Sequence, residues 1–271
     1  MHPFSVTRLP FALTESSVVA IIPARYDSTR FPGKILADIA GKPMIEHVYR
    51  RASSAATVHG TIVATDDLRI AEAVEAFGGA AVMTRADHIS GTDRVAEVVS
   101  ALPCRIVVNV QGDEPLIDPA VIDAAVQPLL DEPSIEMSTL SRPFVDHAEF
   151  LSPHVVKVVT DINGRAMYFS RAPIPYEMRS ASSVSSAALM PSSAAHIGLY
   201  AYRRDTLLRV AALPPAAGEL AEKLEQLRAL FNGIGIRVVP TRHVSVGVDT
   251  PDDLDRVRTQ MSQIAQMTQT T

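Results

Sequence analysis

Cysteine is almost absent: Cys104 stands alone in 271 residues. That excludes an intrachain disulfide framework and a cysteine-rich zinc site, and it suits a reducing compartment. Flanked by Pro103 and Arg105, it reads as a packing residue rather than a nucleophile. Long apolar runs are missing too. Val18–Ile22 and Ile106–Val108 are among the longest, far short of the about 20 residues that span a bilayer. Positive charge is not in excess, since 25 Lys+Arg against 30 Asp+Glu leave −5. No global field therefore draws the chain to nucleic acid or an anionic membrane, and any anion site must be local. The eight histidines form no H-x-x-x-H or H-x-H pair, which argues against a histidine zinc site. No G-x-S-x-G elbow marks a serine hydrolase.

Hydrophobic residues make up 47% and charged residues 20%, enough for a substantial core. Residues 1–17, with Pro3 and Pro10, lack periodicity and the basic start of a secretory signal. They are expected to be a disordered N-terminal extension, and the protein is expected to be cytoplasmic. From Val18 a pattern repeats. Val18–Ile22, Thr61–Ala64, Ala80–Met83 and Ile106–Val110 read as buried strands. Between them lie helical stretches: one from Pro43 with Met44, Ile45, Val48, Tyr49 and Ala52 on one face, then Leu68–Phe77, then Val95, Val98, Val99 and Leu102. A further helix is expected near Pro119. Alternation of this kind argues for a mostly parallel α/β sheet with helices on both faces.

The second half is less regular. Val155–Thr160 and Ala166–Ser170 resemble antiparallel neighbours joined by a turn. Ser180–Ala195 reads as a Ser/Ala-rich loop, Ile197–Tyr202 and Arg237–Val239 as strands. Leu220, Leu224, Leu227 and Phe231 share one helical face. Thr250 is expected to cap a closing helix with Pro251 at its start and Leu254, Val257, Met261 and Ile264 as its buried stripe. No composition break divides 18–271, which is taken as a single domain.

Ligands of an open parallel sheet sit outside the carboxyl ends of its strands, and the polar clusters of the first half all fall there. Strand one is followed by Arg25, Asp27, Arg30 and Lys34; strand two by Thr65-Asp66-Asp67; strand three by Thr84-Arg85 and Ser90-Gly91; strand four by Gln111-Gly112-Asp113-Glu114. Three cations in one such loop suggest a polyphosphate cradle. It is neither a dinucleotide fingerprint nor a Walker loop, because no G-x-G-x-x-G follows strand one and Gly33-Lys34 is followed by Ile35. Asp113 at a strand tip suits magnesium, which takes one or two carboxylates with phosphate oxygens. Asp249 occupies the same kind of position after the late strand.

At these residues the sequence resembles the 3-deoxy-manno-octulosonate (KDO) cytidylyltransferase family. The carrying segments are IIPARYDSTRFPGK (Ile21–Lys34), GKPMIEHV, ATDD, MTRADHISGTDR (Met83–Arg94), VNVQGDEPLI (Val108–Ile117), YFSRAPIPY, HIGLYAYR (His196–Arg203), LEQLR (Leu224–Arg228) and GVDTPDDL (Gly247–Leu254). The resemblance implies a Rossmann-like nucleotidyltransferase with a smaller antiparallel sugar-binding and dimerisation subregion, joining CTP and KDO into CMP-KDO and pyrophosphate for lipopolysaccharide biosynthesis. It also implies magnesium as cofactor and a homodimer. Arg25 and Lys34 then correspond to triphosphate ligands. Ala24, Ser28, Thr65, Ser90, Gly91 and Gln111 correspond to nucleotide contacts, and Asp113 and Asp249 to the metal pair. Arg30, Arg171, His196, Tyr200, Glu225 and Gln226 correspond to the sugar side, with Gln111 touching both substrates. A sialic-acid-type cytidylyltransferase and a non-catalytic nucleotide-binding regulator are the competing readings.

Overall fold

The computed structural model describes residues 9–27, 31–176, 193–244 and 246–269. By contacts the chain divides into two compact units, Met1–Asp123 with Ser245–Thr271, and Ala124–Val244, where the sequence reading takes 18–271 as one domain.

The first unit opens with β1 (Val18–Ala24), followed by a short ribbon of β2 (Asp38–Ile39) and β3 (Lys42–Pro43). Then come α1 (Met44–Ser53), β4 (Gly60–Thr65), α2 (Leu68–Ala76), β5 (Ala80–Met83), α3 (Gly91–Ser100) and β6 (Ile106–Asn109). β1 pairs in parallel with β6 on one side and β4 on the other, and β4 pairs in parallel with β5. Val19, Ala20, Ile21 and Ile22 are wholly buried, which explains why this run is apolar without alternation. Polar starts set the helices. Asp67 accepts from Arg69 N at 2.9 Å, and Ser90 and Asp93 make a reciprocal capping box. Pro43 sits just before α1 rather than as its first residue. Cys104 is buried, as a packing residue should be.

Helix α4 (Pro119–Asp131) carries the chain into the second unit. There follow β7 (Met137–Arg142), α5 (His147–Leu151), β8 (Lys157–Thr160), β9 (Ala166–Ser170), β10 (Ser193–Arg203), α6 (Arg204–Ala212), α7 (Ala217–Glu222), α8 (Gln226–Phe231) and β11 (Ile236–Pro240). β7 runs parallel to β11 and antiparallel to β10; β10 pairs antiparallel with β8, and β8 with β9. The closing helix α9 (Pro251–Gln269) belongs to the first unit.

Four expectations change. Within the extension expected over 1–17, the described part is ordered by contacts. Ser17 is buried, its carbonyl accepts from Arg105 N at 2.8 Å, and a Cβ on Gly60 would lie 2.3 Å from Phe11 Cε2. The single helical face of Leu220, Leu224, Leu227 and Phe231 is broken, because Lys223 adopts φ 56° and separates α7 from α8. Leu224 and Leu227 stay buried while Leu220 and Phe231 are exposed. The stripe of α9 is buried only at Leu254 and Val257, and Ile264 is exposed. Ser193–Ala195, the end of the expected Ser/Ala-rich loop, lies in β10; the rest of that loop lies outside the described residues.

Candidate active site

In the first unit, a cavity of about 400 Å³ opens at the carboxyl end of the sheet, lined among others by Arg25, Asp27, Lys34, Gly91, Gln111 and Asp113. Gly112 is there because the backbone passes close by: a Cβ would sit 3.1 Å from Ile35 Cδ1 and 3.2 Å from the Pro23 carbonyl oxygen. Arg25 donates from Nη2 to the His88 carbonyl. Lys34 begins a single helical turn after Gly33, whose φ of 72° suits glycine. Gly33 N donates to the Tyr26 carbonyl at 2.8 Å and closes the arginine loop at its base.

Asp113 and Asp249 are 136 positions apart in number yet meet at one cation. Lys34 Nζ donates to Asp113 Oδ2 at 2.7 Å, to the Val248 carbonyl at 2.8 Å and to Asp249 Oδ1 at 3.0 Å. Burial alone would lower the lysine, but the Asp113 and Asp249 carboxylates outweigh it and hold its pKa above the ordinary value. Two links bring Asp249 there. Val248 N donates to the Asp113 carbonyl at 2.8 Å. Asp253 Oδ2 accepts from Asp249 N at 3.0 Å and Thr250 N at 2.8 Å, while Thr250 Oγ1 accepts from Asp253 N at 3.2 Å, so Thr250 does cap α9. Two carboxylates converging on one cation are a donor set that fits magnesium completed by phosphate oxygens. Among the described residues no group of three or more His, Cys, Asp or Glu could hold a metal by itself.

The remaining nucleotide candidates divide. Gly91 and Gln111 line the cavity. Ser90 Oγ is engaged as the α3 cap, accepting from Asp93 N at 3.1 Å. Thr65 is fully buried, its Oγ1 accepting from Asp67 N at 3.2 Å, and Ala24 is buried at the end of β1; neither lines the cavity. Ser28 and Arg30 lie outside the described residues. The sequence reading did not single out Arg94. It lines the cavity, is wholly buried, and donates to Asp66 Oδ2 at 3.0 Å and to Thr84 Oγ1. Its position three residues after Gly91, one helical turn on, was the available signal.

Of the sugar-side candidates, Arg171, His196, Tyr200, Glu225 and Gln226 lie in the second unit, and Gln111, expected to touch both substrates, lies in the first. Arg171 follows β9, and Glu222 holds it in place. Oε2 accepts from Arg171 N at 2.9 Å, and the Glu222 carbonyl accepts from Arg171 Nε at 2.9 Å. Arg171 Nη1 donates to the Pro153 carbonyl at 3.1 Å. Lys157, wholly buried, donates to the carbonyls of Ser152, Val155 and Arg171 at 2.6, 2.8 and 2.8 Å. His196 is T-stacked on Phe169 at 4.9 Å and lies 5.5 Å from the Tyr200 ring. Its Nε2 is 2.9 Å from Thr139 Oγ1, and burial pushes its pKa down to about 3, which favours the neutral imidazole. Burial first, then Tyr202 and Glu225, push the Tyr200 hydroxyl well above its ordinary value. Glu225 is the residue before α8 and Gln226 its first, largely buried, residue.

A protein-family model described as Cytidylyltransferase matches residues 19–237. The 3-deoxy-manno-octulosonate cytidylyltransferase of Geobacter sulfurreducens is 56% identical over 247 residues, covering 89% of this chain and 98% of its own length. The chain belongs to the 3-deoxy-manno-octulosonate cytidylyltransferase family. The relative of that name from Trichlorobacter lovleyi is 55% identical over 91% of this chain and 99% of its own. A solved structure of CMP:2-keto-3-deoxy-manno-octonic acid synthetase complexed with CTP is 46% identical, covers 92% of this chain and 99% of its own, and superposes with a TM-score of 0.85. A nucleotidyl transferase from Methanothermobacter thermautotroptrophicus shares the fold alone, at 16% identity and a TM-score of 0.62. The expected α/β nucleotidyltransferase fold is therefore the fold found, with parallel pairing among β1, β4, β5 and β6 and antiparallel pairs present within the second unit and in the β2–β3 ribbon. Among the described residues no helix is long and apolar enough to cross a membrane.

Proposed function

We infer that the chain joins CTP and KDO into CMP-KDO with release of pyrophosphate, the activation of an acid sugar for lipopolysaccharide assembly. The observation that carries this reading is the meeting of Asp113, Asp249 and Lys34 beside Arg25 at one sheet-end cavity, in a chain of this family.

The anomeric hydroxyl of the sugar forms a bond to the α-phosphorus as the bond to the departing pyrophosphate oxygen breaks. Catalysis in such transfers is positioning plus charge neutralisation. Arg25 provides a planar fork for phosphate oxygens, and Lys34 a point charge. Lys34 points all three of its hydrogen bonds at Asp113, Asp249 and Val248, so a contact with the triphosphate requires the ammonium to turn away from that acidic nest. Asp113 and Asp249 would hold magnesium, which when bound supplies charge stabilisation at the phosphates. Gly91 and Gln111, which line the same cavity, are assigned to the nucleoside. Arg171, His196, Tyr200, Glu225 and Gln226 are assigned to the acceptor sugar. The proposal includes a homodimer, as the resemblance implies, and a cytoplasmic location, as the sequence reading expects.

Pyrophosphate release across CTP, UTP, ATP and GTP, each with KDO or sialic acid and with or without magnesium, tests it. Turnover is expected only for CTP with KDO and magnesium. Preference for sialic acid would move the chain to the sister specificity. CTP binding without turnover for any pair would favour the nucleotide-binding regulator.

A further inference from the structure

The Arg25 guanidinium is held over the cavity by one backbone oxygen, the His88 carbonyl. That oxygen belongs to the connection between β5 and α3, a loop whose next residue, Ile89, is 90% exposed. A carbonyl on a loop can hold an arginine in one orientation only if the loop itself is tied. The tie is Glu97, on the second turn of α3. Its Oε2 accepts from the His88 imidazole Nε2 and, at 3.1 Å, from Arg85 N. Both side chains are buried, 6% exposed for His88 and 10% for Glu97. Oε1 of Glu97 makes no hydrogen bond, so the carboxylate serves the loop through one oxygen. A charged group buried for two loop contacts is costly unless those contacts matter. Neither His88 nor Glu97 lines the cavity.

We propose that Glu97 is a positioning residue for the nucleotide end of the reaction, acting through His88 to fix the carbonyl that orients Arg25. The inference rests on the reading of Arg25 as a CTP ligand. α3 then has three separate duties along its length: Gly91 at the cavity, Arg94 bonded to Asp66 and Thr84, and Glu97 holding the loop.

The test is a double-mutant cycle on the full chain, with CTP and magnesium titrated calorimetrically into wild type, Glu97→Ala, Arg25→Ala and the double variant. Each single variant is expected to weaken CTP binding by about tenfold, and the double variant to be no weaker than Arg25→Ala, because Glu97 has nothing to position once Arg25 is gone. The KM for KDO should stay within about twofold, and Glu97→Gln, which keeps an acceptor for the loop, should restore most of the affinity. Losses that multiply in the double variant, or a fall in melting temperature with equal damage to both substrates, overturn the inference. If Glu97→Ala does not fold, His88→Asn enters the same cycle with the same expectation. An Arg25→Ala variant with unchanged CTP affinity would instead overturn the nucleotide role of Arg25, a result separable from the others.

Discussion

Lys34 shows how much a single side chain can conceal. Its place at the end of the arginine loop makes it read as a phosphate ligand, because a cation beside arginines at a strand end has an obvious use. Its actual partners, Asp113 and Asp249, were each identified separately as metal carboxylates. Nothing in their spacing says that one ammonium joins them, since the contact spans 215 positions. The same arrangement makes a residue-level prediction. Asp113→Asn or Asp249→Asn should lower kcat by about a hundredfold or more while CTP affinity falls by less than about tenfold, because the charge removed acts where the phosphorus is attacked. Single-turnover rates at saturating magnesium, set beside calorimetric CTP affinity, check it. Near-normal turnover in either variant would remove that aspartate from the metal pair. Arg94 and Thr65 mark the opposite limits of residue reading. The first, a buried arginine on a helix beside the cavity, drew no attention because its charge is hidden by Asp66. The second was singled out and is occupied with local structure.

Among elements, those legible in sequence are those whose pattern follows from burial. β1, β4 and β6 are short apolar runs because both faces are covered, whereas in β5 burial alternates along the strand. β7 went unread, and the reason is physical. Its sequence, Met-Ser-Thr-Leu-Ser-Arg, looks like a loop, yet Ser138 and Thr139 are wholly buried. Their hydroxyls are satisfied by backbone carbonyls of other elements: Ser138 Oγ donates to the Ala125 carbonyl of α4, and Thr139 Oγ1 to the Leu199 carbonyl of β10 at 2.8 Å. Side chains that bond to backbone in this way can replace apolar ones in a core. The break between α7 and α8 was hidden similarly. Lys223, in the left-handed region, ends α7 where no glycine announces a stop. The buried Glu219–Arg228 pair, with contacts at 2.6 and 3.0 Å, then joins the two short helices. Lys223→Gly should therefore raise unfolding free energy by about 0.5–1 kcal/mol by relieving a conformation that L-residues resist. Lys223→Val should lower it. Urea denaturation checks both, and a destabilised Lys223→Gly would mean that the lysine side chain matters more than its φ.

On the scale of the molecule, the assigned nucleotide residues that are described fall in the first unit, while Arg171, His196, Tyr200, Glu225 and Gln226, assigned to the sugar, fall in the second; Gln111, assigned to both substrates, is in the first. Glu225→Ala should accordingly raise the KM for KDO by an amount corresponding to about 1–3 kcal/mol, the cost of leaving sugar hydroxyls without an acceptor. CTP affinity measured without sugar should be unchanged. Loss of CTP binding with intact KDO dependence would defeat the partition. What the sequence determined by itself was the alternation of strand and helix, the chemistry at the strand ends and the family, because buried strands must be apolar and ligand loops of an open sheet must carry the polar groups. Tertiary structure alone decided which of those groups touch. It set Lys34 between two distant carboxylates, tied Arg25 to the His88 carbonyl, and buried a polar strand. Those outcomes depend on hydrogen bonds closed between residues far apart in the chain, and such bonds leave no period or spacing in the sequence to be read.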